Sequence, residues 1–230
     1  MAKRRREAMP FPGGIEATPN GLLLLSVVAA VLYCFMAHRP ASWRRTVAKT
    51  AGVMLLGLLS YAAGGPLLLT LALLASAAGD AALAAEEERW FLPGLVAFLI
   101  AHLLYIVLFA TGSQGAGILL AEPLRGVWAV LIVVAAAVLV SRLMPALPSA
   151  MRGPVLVYAL AIAAMGILAV TVPGYAIAVG ATLFIVSDAI LSIRKYLMAE
   201  GSPHDGWAGY AVWIFYYAAQ LIIALSVLLA

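Results

Sequence analysis

The chain has 230 residues, 65% of them hydrophobic and 10% charged, with a formal net charge of +4 and a mean hydropathy of +1.07. Soluble domains carry about 25% charged residues, so this is the composition of a polytopic membrane protein; its length accommodates about eight spans of roughly 20 residues and no sizeable soluble domain. The basic residues gather at loops and at the amino terminus without aromatic interleaving, which suits anionic lipid headgroups and gives no reason to expect a nucleic-acid partner. Cys34 is the single cysteine, so neither an intrachain disulfide nor a thiolate metal site can form.

The opening MAKRRREAMPFPGG reads as part of a retained basic tail, 1–19, because a full-length apolar span and no small-residue cleavage site follow it. A first apolar run, 21–37, closes on His38, Arg39 and Pro40, where charge and proline end a helix. The basic loop around Trp43, Arg44 and Arg45 leads to a second span, 47–63, which stops at the turn Gly64, Gly65, Pro66. The third span, 66–85, runs into the acidic loop Glu86, Glu87, Glu88 before Arg89 and Trp90. Span four is 91–111, and a loop with Gly112, Gly115, Gly117 and Pro123 leads to span five, 127–143. Pro145 and Pro148 precede span six, 155–170; the Pro173, Gly174 turn opens span seven, which ends near Arg194 and Lys195; span eight is 208–228.

The expected fold is therefore an all-α integral membrane protein with about eight transmembrane helices in a single domain, 20–230, multi-pass and placed in the cell (inner) membrane. Eight spans put both termini on one side, called here the near side. That side holds 5 of the 14 Lys and Arg residues and the far side 9, but Lys3, Arg4, Arg5 and Arg6 form a cluster that resists translocation, so orientation stays open.

Two carboxylates interrupt the apolar spans. Asp80 lies in SAAGDAAL and Asp188 in VSDAILSI, two settings that share a small residue, an Asp, an Ala and a Leu at fixed spacing. An acid at membrane depth is costly and ordinarily faces a bundle interior where it binds or does chemistry. In span four, Gly94, Phe98, His102 and Tyr105 are spaced 4, 4 and 3; in span eight, Gly209, Trp213, Tyr217 and Gln220 are spaced identically. Each set covers a wedge of roughly 80° on a helix. Together with the Asp motifs, this suggests a parallel four-plus-four repeat with halves 20–115 and 125–230, coincidence in a biased composition being the alternative.

Counted at about 1.5 Å per residue from the far side, Asp80 and Asp188 lie about 9 to 11 Å deep, Tyr217 about 14 Å and His102 about 16 Å. Two acids cannot neutralise each other as an acid and a base would, which favours a functional pair. Tyr105, Tyr217 and Gln220 suit interhelical hydrogen bonds as well as substrate positioning. His102 is open between a satisfied core residue and an active one. Ser187 has no histidine partner, so a Ser-His-Asp hydrolase is unsupported. His38, His102 and His204 are scattered and fall short of a metal's ligand set.

GDAAL with Asp80, FLPGLVAFLIAHLLY over 91–105, SDAIL with Asp188 and YYAAQ over 216–220 occur in an order that resembles the YhhN family of eight-span membrane proteins. The resemblance runs from the first span to the last and leaves out the basic tail. It implies a lysoplasmalogenase, which cleaves the vinyl-ether bond of a lysoplasmalogen to a fatty aldehyde and glycerophospho-ethanolamine or glycerophospho-choline, with no cofactor. Such chemistry starts by protonating carbon, so it needs an acid and a nearby anion, roles that Asp80 and Asp188 fill in an order the sequence leaves open. His102, Tyr105, Tyr217, Gln220 and Ser187 then position water and the glycerol oxygens. Glu87, Arg89, Arg194 and Lys195 face the headgroup, and the hydrocarbon chain enters an apolar cavity between the halves. The expected partners are a lysophospholipid substrate and membrane lipids, the oligomeric state being undetermined.

A proton-coupled transporter of a lipid or small metabolite is the alternative, since paired carboxylates with a histidine also serve proton relays. The absence of Pro or paired Gly at mid-span beside either Asp leans away from a broken-helix transporter. Cavity shape separates the two readings: an enzyme's is sealed toward one face.

Overall fold

The computed structural model describes residues 9–85, 87–199 and 201–230; Lys3, Arg4, Arg5 and Arg6 of the basic cluster, and Glu86, lie outside these described residues. Eight long helices correspond to the eight predicted spans: α1 (Thr18–Met36), α2 (Trp43–Ala62), α3 (Leu67–Ala84), α4 (Glu88–Gly112), α6 (Pro123–Leu143), α7 (Ser149–Thr171), α8 (Ala176–Tyr196) and α9 (Asp205–Leu228). A single turn, α5 (Ile118–Ala121), lies in the glycine-bearing loop before α6. Seven of the long helices are apolar enough to cross a membrane. The remaining one, α2, is as long as the others but carries Arg44, Arg45 and Lys49 in its first two turns. Leu25, Val28 and Leu32 on α1 and Val127, Val130, Leu131 and Val134 on α6 lie on the outer surface, an apolar exterior that requires lipid. The protein is a multi-pass integral membrane protein.

Helix ends follow the turn chemistry of the sequence. Ser42 caps α2 by accepting the backbone N–H of Arg45 at 3.4 Å. At its other end, Gly64 adopts a left-handed conformation (φ 71°) while the N–H of Gly65 reaches the carbonyl of Ser60 at 2.8 Å. This glycine-closed stop satisfies the final carbonyls and turns the chain directly into α3. The segment before α1 is tied down by Asn20, whose buried amide donates to the carbonyls of Phe11 and Gly14, both at 2.7 Å.

Helices α1 to α4 pack consecutively, α4 continues onto α7, and α7, α8 and α9 pack consecutively before α9 returns to α2 and α1. Helix α6 stands outside this ring, against α7 and α8. Close approach of α3 and α4 depends on Gly79, where an added Cβ would sit 2.6 Å from the Phe98 ring. The ring of Phe98 therefore lies beside the residue that precedes Asp80.

A polar knot holds the near side. Arg125, on the first turn of α6, is buried and donates to the carbonyls of Val170 (2.5 Å), Val172 (2.8 Å) and Gly174 (3.0 Å) and to Glu122 (2.7 Å), with its guanidinium over the Tyr175 ring. Its hydrogen bond holds the Glu122 carboxyl below the ordinary carboxylate range. Read from sequence as a loop charge, Arg125 is instead the clamp on the α7–α8 turn. Arg125→Ala leaves three carbonyls without their donor and lowers stability by about 2–3 kcal/mol, seen as a reduced thermal midpoint in detergent. Arg125→Lys recovers only part of the loss, because a point charge cannot span the three acceptors. An unchanged midpoint for Arg125→Ala would refute the clamp.

Candidate active site

A cavity of about 280 Å³ opens at the far side between α2, α3, α8, α9 and the start of α4. Asp80 and Asp188 both line it. Asp80 is 1% exposed and faces inward from α3. The phenol of Tyr216 on α9 donates to its Oδ2 at 2.7 Å, and the ammonium of Lys49 on α2 lies 3.4 Å from its Oδ1. Lys49 in turn sits over the Tyr33 ring of α1, so the cation is enclosed by an acid and an aromatic face.

The surroundings of Asp188 differ. This residue is partly exposed, and its hydrogen-bond donor is neutral: the phenol of Tyr158 on α7 donates to its Oδ2. One acid thus bears a cation and the other a hydroxyl. Phe98, Trp213 and Tyr216 also line the cavity, and Phe184 packs edge-on to Phe98 and Tyr216 at 6.3 and 5.4 Å between centroids. Such walls keep the local dielectric low and strengthen every charge in the cavity.

The structure separates the other candidate residues by location. Ser187 lines the cavity, but its hydroxyl is engaged with the carbonyl of Val212 at 2.9 Å and stitches α8 to α9. Tyr105 and Gln220 lie below the cavity, fully buried, with the tyrosine hydroxyl donating to the Gln220 carbonyl oxygen at 2.5 Å. His102 is also fully buried and does not line the cavity; its ring is held edge-on between Tyr158 (5.1 Å) and Phe184 (4.7 Å). Tyr217 points toward α1 and shares a 2.8 Å hydrogen bond with Ser26, whose hydroxyl also donates to the Gly52 carbonyl. The phenol on Asp80 belongs to its neighbour, Tyr216.

Glu87, Arg194 and Lys195 line the mouth. Arg194 makes a forked pair with Asp205 at 2.6 and 2.8 Å, while Lys195 reaches Glu88 at 3.1 Å and covers the Phe91 ring at 4.0 Å. Arg89 does not line the cavity; it is mostly exposed, pairs with Glu87 at 2.7 Å and lies over Trp90. Among the described residues, no three His, Cys, Asp or Glu side chains converge as a metal site would need.

Lys49, Tyr158 and Tyr216 are the polar partners of the acids that sequence reasoning did not single out. Lys49 had a readable signal, being a cation inside the predicted second span. Tyr216 stands beside the chosen Tyr217 in YYAAQ, and Tyr158 gave no local sign.

The YhhN family model matches residues 44–227. The chain belongs to the YhhN family. The part matched by this family contains Lys49, Asp80, Tyr158, Asp188 and Tyr216, whereas Tyr33 on α1 precedes it. The chain is similar to the lysoplasmalogenase TMEM86B of Homo sapiens, 35% identical over 191 residues that cover 81% of this chain and 76% of the relative. It is similar also to the lysoplasmalogenase TMEM86B of Sus scrofa, 36% identical over 159 residues, 68% of this chain and 61% of that relative. No solved structure matches the YhhN chain.

Proposed function

We propose that the protein is a membrane-embedded lysoplasmalogenase, an ether hydrolase that splits the vinyl-ether bond of a lysoplasmalogen into a fatty aldehyde and glycerophospho-ethanolamine or glycerophospho-choline. Similarity to two relatives named lysoplasmalogenase supports the activity. The observation that carries the chemistry is that two carboxylates with unlike partners line one far-side cavity, a cation on Asp80 and a phenol on Asp188.

Those partners divide the work. Opposite charge beside a carboxylate favours its ionised form, which assigns Asp80 the anion's role; a second charge in the same cavity is disfavoured, which assigns Asp188 the acid's role. Asp188 delivers its proton to the β-carbon of the vinyl ether, and the α-carbon becomes an oxocarbenium ion that the Asp80 carboxylate stabilises. Water adds to that carbon and loses a proton to the Asp188 carboxylate, giving a hemiacetal. Its hydroxyl proton passes to the glycerol oxygen as the C–O bond breaks, releasing aldehyde and alcohol, and Asp188 is again protonated. The sum is one water consumed. Tyr216 and Tyr158 orient the two carboxylates, Ser187 holds α8 to α9 at the cavity wall, and Tyr105, Gln220 and His102 support the walls from behind.

Glu87, Arg194 and Lys195 at the mouth meet the zwitterionic headgroup, with Arg89 outside as a surface contact. Below the cavity, His102, Tyr105, Phe109, Phe184 and Gln220 are all under 2% exposed. They separate it from an apolar depression of about 690 Å³ on the near side. Closure toward one face supports hydrolysis over proton-coupled transport. Joins of α4 to α7 and of α9 to α2 likewise support the four-plus-four reading of halves 20–115 and 125–230 within one domain, 20–230. The membrane assigned in this reading is the cell (inner) membrane.

Purified protein releases aldehyde from lysoplasmenyl-ethanolamine or lysoplasmenyl-choline and none from the saturated alkyl-ether analogue, which cannot form the same cation by protonation. Aldehyde trapped by a hydrazine reagent gives the readout. Folded protein that releases none from either headgroup would overturn the hydrolase reading in favour of transport.

A further inference from the structure

Asp188 does more than face the polar cavity. A small pocket of about 40 Å³ lies between the α3–α4 corner and α7–α8, bounded by Phe91, Leu95, Phe98 and Tyr158. A groove of about 100 Å³ continues between α6, α7 and α8, walled by Ala136, Leu139, Val140, Ala159, Ile162 and Ile185. Asp188 is the residue that the polar cavity, the small pocket and the groove have in common. The acid therefore stands where an aqueous mouth meets an apolar path.

That path lies at the edge of the bundle. Helix α6 packs against α7 and α8 outside the helical ring, and Val130, Leu131, Val134 and Val138 on it are exposed at its outer surface. At the far end of α6, Leu143, Leu147 and Val155 form a small cluster of their own, apart from the main core. The groove walls are mostly aliphatic and carry small residues, Ala135, Ala136, Ala159 and Ala189, where α6 meets its neighbours. A methylene chain coming from lipid finds here a surface about as apolar as the one it leaves, and the polar side chains it meets, Tyr158 and Ser192, stand beside Asp188 and one turn from it.

We infer that the groove between α6 and the α7–α8 pair receives the hydrocarbon chain of the substrate, giving the ether lipid a lateral path from the bilayer to Asp188. This rests on the lysoplasmalogenase reading. It moves the chain from between the two halves, where the sequence suggested it, into the second half alone. The groove is too small for a whole fatty chain, so it grips the carbons next to the vinyl ether and leaves the remainder in lipid beside α6. Continuity with the polar cavity through Asp188 selects the occupant: a molecule whose headgroup, ether bond and chain occupy the mouth, the acid and the groove in turn.

The test narrows the groove. Ala136→Phe and Ala159→Phe lower kcat/KM for long-chain lysoplasmenyl-ethanolamine by at least about tenfold, the size of effect that overfilling a packed apolar site gives. Hydrolysis of a 1-O-propenyl glycerophosphoethanolamine, whose alkenyl group ends before the groove, stays within about twofold on the same scale of free energy. Equal losses on both substrates, or none on either, would overturn the groove. If wild type releases no aldehyde from either substrate, the hydrolase reading fails, and binding then decides the groove by itself. For that, a saturated alkyl-ether lysophosphatidylethanolamine with a diazirine on an early chain carbon is photolysed with wild-type protein in nanodiscs, which also covers the case of variants that do not fold. Adducts within 135–143 and 155–162 that unlabelled lysolipid competes away support the site. Adducts spread over all outward helix faces, adducts in the groove that resist competition as bilayer lipid would, or a cross-link between two copies there, overturn it.

Discussion

Asp188→Asn slows aldehyde release from lysoplasmenyl-ethanolamine by about 10³-fold while leaving the folded bundle intact, a loss of the size expected when a positioned general acid is removed. Asparagine matches aspartate in shape, and its carbonyl oxygen still accepts the hydrogen bond that the Tyr158 phenol gives Asp188. What it lacks is an acidic proton for carbon. Since Asp188 is partly exposed to the cavity and Asp80 is 1% exposed, Asp188 is the better placed of the two to touch substrate. The measurement is single-turnover aldehyde formation in detergent, with size-exclusion profile and thermal midpoint as fold controls. Wild-type rates in folded Asp188→Asn would remove the acid's role, and a complete loss confined to Asp80→Asn would exchange the roles of the two residues.

Lys49→Met separates charge from shape at Asp80. The variant leaves a carboxylate at 1% exposure without the cation 3.4 Å away, so stability falls by about 3 kcal/mol, the lower end for breaking a buried pair because Lys49 itself is 15% exposed. Turnover falls with it by about 10²-fold, the size of losing one preorganised electrostatic group. Adding Asp80→Asn to Lys49→Met removes the stranded charge and restores most of the stability without restoring turnover. A double-mutant cycle in thermal midpoint reads the first effect, and the aldehyde assay reads the second. Additive stability losses would mean that the two side chains do not act as a pair, and full activity in Lys49→Met would free Asp80 from its electrostatic role.

Much of this architecture was legible in the chain. Membrane helices carry their own signal in length and apolarity, which is why eight predicted spans reappear with ends displaced by a few residues. Asp80 and Asp188 stood out because a charge in an apolar run has few benign explanations, and both line one cavity. Depth along a helix could be counted, whereas direction around it was less certain. Tyr216 and Tyr217 differ by one residue, or about 100° of rotation, and the matching 4, 4, 3 spacing selected Tyr217, which turns to Ser26. His102 sits behind the cavity wall for the same reason. Lys49 carries an ambiguous signal, because a lysine in the first turns of a span commonly reaches back to the headgroups. Its actual direction, inward to Asp80, depends on α2 lying between α1 and α3, which only packing reveals.

The placement of Lys49 has a consequence for how the protein is made. With Arg44, Arg45 and Lys49 in its first two turns, α2 is the long helix that does not qualify as an apolar span by itself, although Val53, Leu56 and Leu59 along its length are completely buried. A segment of this kind partitions poorly from the translocon as a lone helix, since a cationic side chain costs more the deeper it lies, up to about 2.5–3.5 kcal/mol at a helix centre, and Lys49 is the deepest of the three. Its neighbours in the bundle, α1 and α3, flank it in the chain, and the latter brings the acid that neutralises Lys49. The first three helices are therefore expected to enter the bilayer as a cooperative unit, with the ion pair of the candidate site also serving as the lock that retains α2 during synthesis.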